Sequence, residues 1–279
     1  MAESSDALAG CVGKVNRAKL HLSSLDREFG SFVNSESKPW GFISRVDPET
    51  GRYSLRVRRH RSIPMELSLI VGDFSQNLRA ALDHLVWQLV IVNGKRKPSG
   101  NYFPILDERP EPGSREHKGW KRATKGLSGK MVAFIDACQP YHRVESGVHV
   151  LTGLRNLSNQ DKHRVIVNSH AAIRRPAEGF GFDIESRRDV GEILNGKLVI
   201  EAAMDDGDEV AWADAEVTGP NPEVKLKAEL PIEIGFGDIG WITPLRALEE
   251  MMNGVATVIQ EACDLWFDGK PLWPQDEAS

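Results

Sequence analysis

Between residues 64 and 93, Leu67, Ile70, Val71, Phe74, Leu78, Leu82, Leu85 and Leu89 form one unbroken apolar stripe at helical spacing. Pro64 suits a first helical turn, and Asn93-Gly94 supplies a C-terminal stop. The pattern predicts a helix of about 30 residues, about 45 Å long at about 1.5 Å per residue. A helix so long must cover its apolar side along the full length, which calls for several partner helices.

Candidates lie on both sides of it. Residues 7–32 carry Leu8, Val12, Val15, Leu22, Leu25, Phe29 and Phe32 at roughly helical spacing, and Pro39 closes that segment. Residues 127–139 predict a short helix that stops at Pro140, and residues 148–162 another, with Leu151, Leu154 and Leu157 on one face. Thr243-Pro244, read as an N-cap and first-turn proline, opens a last helix to about residue 267.

Strand signals stand apart from these. GFISRV and RYSLRVRRH flank Asp47-Pro48-Glu49-Thr50-Gly51, a hairpin pattern with Leu55 and Val57 inward and Arg56 and Arg58 outward. Residues 95–126, rich in Pro, Gly and charge, read as a long loop. From 164 to 236 short apolar runs alternate with turn residues. The expected class is α+β: a helical bundle of four to five helices with an inserted, mostly antiparallel β-sheet and an early β-hairpin. We expect a single domain over residues 1–279. Its bundle would span 1–163 and 243–269 with the hairpin at 41–60, and its strand-rich insert 164–240.

An apolar fraction of 41% and a charged fraction of 27% exclude a disordered chain. No apolar run nears the ~18 residues a membrane span needs. The start MAESSDALAG lacks a signal-like basic and apolar region, so a cytoplasmic protein is expected. Cys11, Cys138 and Cys263 are far apart and form no CxxC pair, which argues against disulfides and thiolate zinc. Charge is uneven. Residues 38–62 hold seven basic residues against two acids, residues 95–130 ten against four, and residues 201–238 eleven acids against Lys225 and Lys227. A basic half and an acidic half could steer a polyanion, whereas a total of -5 argues against dedicated DNA binding.

Two stretches concentrate catalytic side-chain types. On the long helix, Asp73, Asn77, Ala80, His84 and Trp87 follow a polar stripe opposite the apolar one, and Arg79 and Asp83 are spaced for a salt bridge. At the end of the 148–162 helix, Lys162, His163 and Arg164 complement the helix dipole by ~0.3–1 kcal/mol. Asp161 stands there against the dipole and needs a partner. No HExxH, Glu-x-x-His, GxGxxG, Walker A or GxSxG pattern occurs, so no metal and no cofactor is expected.

Arg79-(four residues)-His84 on a bundle helix resembles the Arg-x(4–6)-His motif of HEPN-family ribonucleases. NLRAALDH followed downstream by DKHR also resembles a group of uncharacterised bacterial proteins with that pair. The resemblance covers the helical part of the chain. It implies a homodimeric, metal-independent endoribonuclease whose RNA site combines motifs from two subunits. His84 would be the general acid or base and Arg79 the stabiliser of the charged phosphorane, with Asn77, Asp83, Asp161, His163 and Arg164 in support. The basic stretch 95–130 would hold the RNA backbone. Because Arg79 and His84 project about 140° apart round a helix, a bent arginine stem or a second subunit would be needed to unite them. The alternative is a non-catalytic binding or scaffold protein in which Arg79–Asp83 and Asp161–His163 form a buried lock between helices.

Overall fold

The computed structural model describes residues 4–47, 49–94, 99–142, 149–163, 167, 169–173, 183–199, 205–221, 223–227, 232–237 and 243–273. Among them are six α-helices: Ser4–Val33 (α1), Met65–Val92 (α2), Arg115–Ala123 (α3), Gly129–Ala137 (α4), Val150–His163 (α5) and Leu245–Trp266 (α6). The strands are Trp40–Asp47 (β1), Arg52–Arg59 (β2), Ser169–Ile173 (β3), Asp183–Arg188 (β4), Val190–Leu198 (β5), Glu209–Val217 (β6), Glu223–Lys227 (β7), Ile232–Phe236 (β8) and Thr243–Pro244 (β9). All their pairings are antiparallel, and the fold is α+β.

The chain divides into two compact units. Met1–Asp26, Leu69–Val167 and Arg246–Ser279 make a helical unit, and Arg27–Ser68 with Asn168–Leu245 a strand-rich one.

In the helical unit the stripe on α2 is core. Leu78, Leu82, Leu85 and Leu89 are each 0% exposed. Burying one such side chain is worth about 1.5–3 kcal/mol. The same unit also buries faces of α1 (Leu8, Cys11, Val15), α4 (Met131, Ile135), α5 (Leu151, Leu154, Leu157) and α6 (Leu248, Val255, Ile259). Phe134 and Trp266 meet edge to face with centroids 5.1 Å apart.

Two expectations need correction. Residues 95–126 are not all loop, since they contain α3. Ser114 caps that helix, its side chain accepting from the His117 N–H at 3.0 Å. Only Ala123 of α3 is buried, so the helix shows no apolar stripe. Thr243-Pro244 does not open the last helix either. Those residues pair with Phe236 and Gly235 as β9, and α6 starts at Leu245.

In the strand-rich unit, β1 and β2 form the early hairpin, with Gly51 at φ 68° in its turn. Leu55 and Val57 are 1% exposed while Arg58 is on the outside. A four-stranded sheet follows the order β1-β2-β6-β5, so β2 takes its second neighbour from about 150 residues downstream. That pairing sets the basic hairpin against the acidic stretch: Arg52 meets Asp214 at 2.9 Å, Arg56 meets Glu209 at 3.1 Å and Arg59 meets Asp205 at 3.5 Å. Exposed pairs of this kind each add at most about 1 kcal/mol, but they neutralise the hairpin's charge. Two further sheets have the orders β3-β8-β9 and β4-β7. Among the described residues no helix is long and apolar enough to cross a membrane.

Candidate functional site

A short segment of the helical unit, Tyr102 to Leu106, is held in place by two polar clamps. Asp83 Oδ1 on α2 accepts from the Phe103 N–H at 2.8 Å, and Arg79 donates Nη2 to the Phe103 carbonyl. Gln139 then donates to the Pro104 carbonyl at 2.9 Å and accepts from the Leu106 N–H at 3.0 Å. With its backbone groups satisfied, the segment buries Phe103 (0% exposed) and Ile105 (5% exposed).

This segment forms the floor of a cleft of about 670 Å³. One wall is α3, which contributes Arg115, Lys118, Gly119 and Arg122, and the other is α5, which contributes Arg155, Ser158, Asn159 and Lys162. Both sets follow the spacing i, i+3, i+4, i+7, so each is a single helix face. Tyr102 and Trp120 add aromatic surface, and Arg79 reaches the lining from α2. Among the described residues of the lining, Glu116 is the one acid against six cations.

Two of the six are already paired. Arg79 stands 3.5 Å from Asp83 with its side chain 13% exposed, and burial lowers its pKa although Asp83 opposes the shift. A guanidinium stays charged through such a shift. Its Nη1 is buried without a hydrogen-bond partner. Arg155 donates to Asp107 Oδ2 at 2.6 Å, and Thr152 donates to the other oxygen. Burial would raise the Asp107 carboxyl, but the bonds from Thr152 and Arg155 outweigh it and hold the pKa below the usual carboxylate range. Among the described residues none of Arg115, Lys118, Arg122 and Lys162 pairs with a carboxylate. Arg122 lies 5.8 Å over the Tyr102 ring.

The residues singled out from the sequence are distributed as follows. Arg79 and Asp83 are together, as the spacing predicts, but their common partner is the Phe103 backbone. His84 is exposed and its ring lies over α1, where a Cβ added at Gly10 would stand 3.1 Å from Nδ1. Arg79 and His84 thus address different neighbours. Asn77 donates to the Asp73 carbonyl and accepts from Lys14 of α1. Asp161 finds its partner in α2: Gln76 Nε2 donates to Oδ2 at 3.0 Å and to the Ser158 carbonyl at 2.9 Å. Gly72 permits this approach, since a Cβ there would overlap the Asp161 carboxylate. The side chain of His163 and all of Arg164 lie outside the described residues.

Sequence reasoning missed Arg115, Lys118, Arg122, Arg155 and Lys162 as one set. The available signal was the i, i+3, i+7 placement of Arg115, Lys118 and Arg122, together with Arg155 and Lys162 at i and i+7 of a second helix. Among the described residues no three His, Cys, Asp or Glu side chains are grouped to hold a metal ion. No protein-family model, curated protein or solved structure matches the chain.

Proposed function

We propose that this protein binds single-stranded RNA, with the phosphate backbone lying in the cleft between α3 and α5. The observation that carries this reading is the set of four cations that face one cleft from two helices and, among the described residues, pair with no carboxylate, in a chain whose total charge is -5. Lysine and arginine are the usual partners of phosphate oxygens. Tyr102 and Trp120 favour a single strand over a duplex, because unpaired bases stack on aromatic rings for about 1–3 kcal/mol each. Arg79–Asp83 and Gln76–Asp161 act in this reading as locks that hold the cleft in shape.

The test is fluorescence anisotropy with a labelled oligouridylate, comparing wild type with the triple variant Arg115→Glu, Lys118→Glu, Arg122→Glu. These three side chains are exposed, so the fold should survive their reversal. We expect affinity to fall by about tenfold or more, since phosphate contacts are replaced by repulsion. Equal binding by both proteins would remove the reading.

The HEPN-like ribonuclease is the second reading. It is favoured by exposed apolar residues on the helix face that carries His84: Trp87 is 46% exposed and Ile91 41%. A second copy seated there would complete the composite site that the resemblance implies. In this reading RNA is cut in excess EDTA, cutting is lost in His84→Ala while binding persists, and the protein elutes as a dimer.

A further inference from the structure

We infer that Asn159 distinguishes RNA from DNA by bonding a ribose 2′-hydroxyl; this rests on the reading of the cleft as an RNA site. The four free cations cannot make that distinction. They are occupied by phosphates, which are the same in both polymers.

The neutral polar side chains of the lining are Tyr102, Trp120, Ser158 and Asn159; two of them are committed, and the Trp120 N–H can only donate. Ser158 is 1% exposed, and its hydroxyl donates to the Arg155 carbonyl. The Tyr102 hydroxyl points at the Gly119 carbonyl, 3.4 Å away. Asn159 is exposed in the cleft, and among the described residues its amide has no partner.

A carboxamide both donates and accepts, and so does a hydroxyl, so the two can pair in either direction. Asn159 also has the right neighbours. Arg155 precedes it by one turn and Lys162 follows by nearly one turn, both in the same lining. With Arg155 already held by Asp107, a strand whose phosphate lies at Lys162 presents the adjoining sugar to the amide. On α3 the same i+4 position is Gly119, which has no side chain to reach a sugar from the other wall.

The experiment compares a labelled oligouridylate with its deoxy counterpart by anisotropy, using wild type, Asn159→Ala and Lys162→Ala. One net hydrogen bond is worth about 0.5–1.5 kcal/mol, so wild type should prefer RNA by about 2- to 13-fold. Asn159→Ala should lower RNA affinity to that for DNA and leave DNA binding unchanged. Lys162→Ala should weaken both probes by the same factor. Binding of both probes with no RNA preference would overturn the role of Asn159 alone, as would an Asn159→Ala variant that keeps the preference. Failure of both probes to bind wild type would overturn the cleft reading itself, and the inference with it.

Discussion

Replacing Lys118 and Arg122 together by alanine halves the uncommitted charge of the cleft without touching its floor. Both side chains are exposed on α3, and alanine is the best helix former, so the helix should persist. Each phosphate neutralised on a single strand lowers the slope of log affinity against log salt by about 0.7. Four free cations therefore give about -2.8, and the double variant about -1.4. Between about 50 mM and 200 mM salt, wild type should lose about 50-fold in affinity and the variant about sevenfold. Arg79 and Arg155 are left out because each already faces a carboxylate. The assay is anisotropy of a labelled oligouridylate titrated at several sodium chloride concentrations. Arg58→Ala on β2 is the control, since Arg58 pairs with Asp206 at 3.7 Å and should leave the slope unchanged. An unchanged slope in the double variant would refute the placement of the backbone on α3, even if affinity fell.

Four further outcomes follow from other contacts in the structure. Gly13 of α1 has open space where a Cβ would stand, so Gly13→Ala should gain about 1 kcal/mol of helix propensity, whereas Gly72→Ala must displace the Asp161 carboxylate and should show no gain; urea midpoints of the two variants moving together would contradict this. Asp83→Ala strips the acceptor from the buried Phe103 N–H and should destabilise by about 1–3 kcal/mol in denaturant unfolding, and a loss under about 0.5 kcal/mol would remove the clamp from the account of the floor. Asp107→Asn frees Arg155 as a fifth cation and should steepen the salt slope by about 0.7. Because the Asp107 carboxyl is held below its ordinary range, its contribution to stability is complete above about pH 4 and fades as pH falls through the lower folded value. Melting temperatures from pH 5 down to 2 should fall less steeply in Asp107→Asn than in wild type.

The parts of the fold that local chemistry specifies were open to reading. The stripe from Leu67 to Leu89 has one period and one explanation, and every member is buried. β6 is visible as EVAWADAEV because Val210, Ala211, Ala213 and Ala215 turn inward at nearly every second position. α3 stayed hidden because eight of its nine residues are not buried, so no hydrophobic rhythm marks it, and the capping Ser114 lies among Pro and Gly that suggest a turn. The floor is less legible still. Phe103 is held by side chains 20 and 24 positions away, and Pro104 by Gln139 at 35, separations at which no spacing rule applies. Arg79 illustrates the limit. Its salt bridge to Asp83 follows from helical geometry, but its engagement of a carbonyl from the next segment depends on how the chain returns across α2.

The pairing of β2 with β6 also orders events in time. Leu55 and its partner Ala211 are separated by most of the chain, and a ribosome adding about 5–20 residues per second needs roughly 10–30 seconds to travel between them. Until then the nascent hairpin has one edge without a neighbour. Tyr53, Leu55 and Val57, each 1% exposed in the finished protein, lack the cover of β6 through that interval. A chain stalled before β6 emerges is therefore a natural client for a chaperone, and two such chains on one message could pair edge to edge.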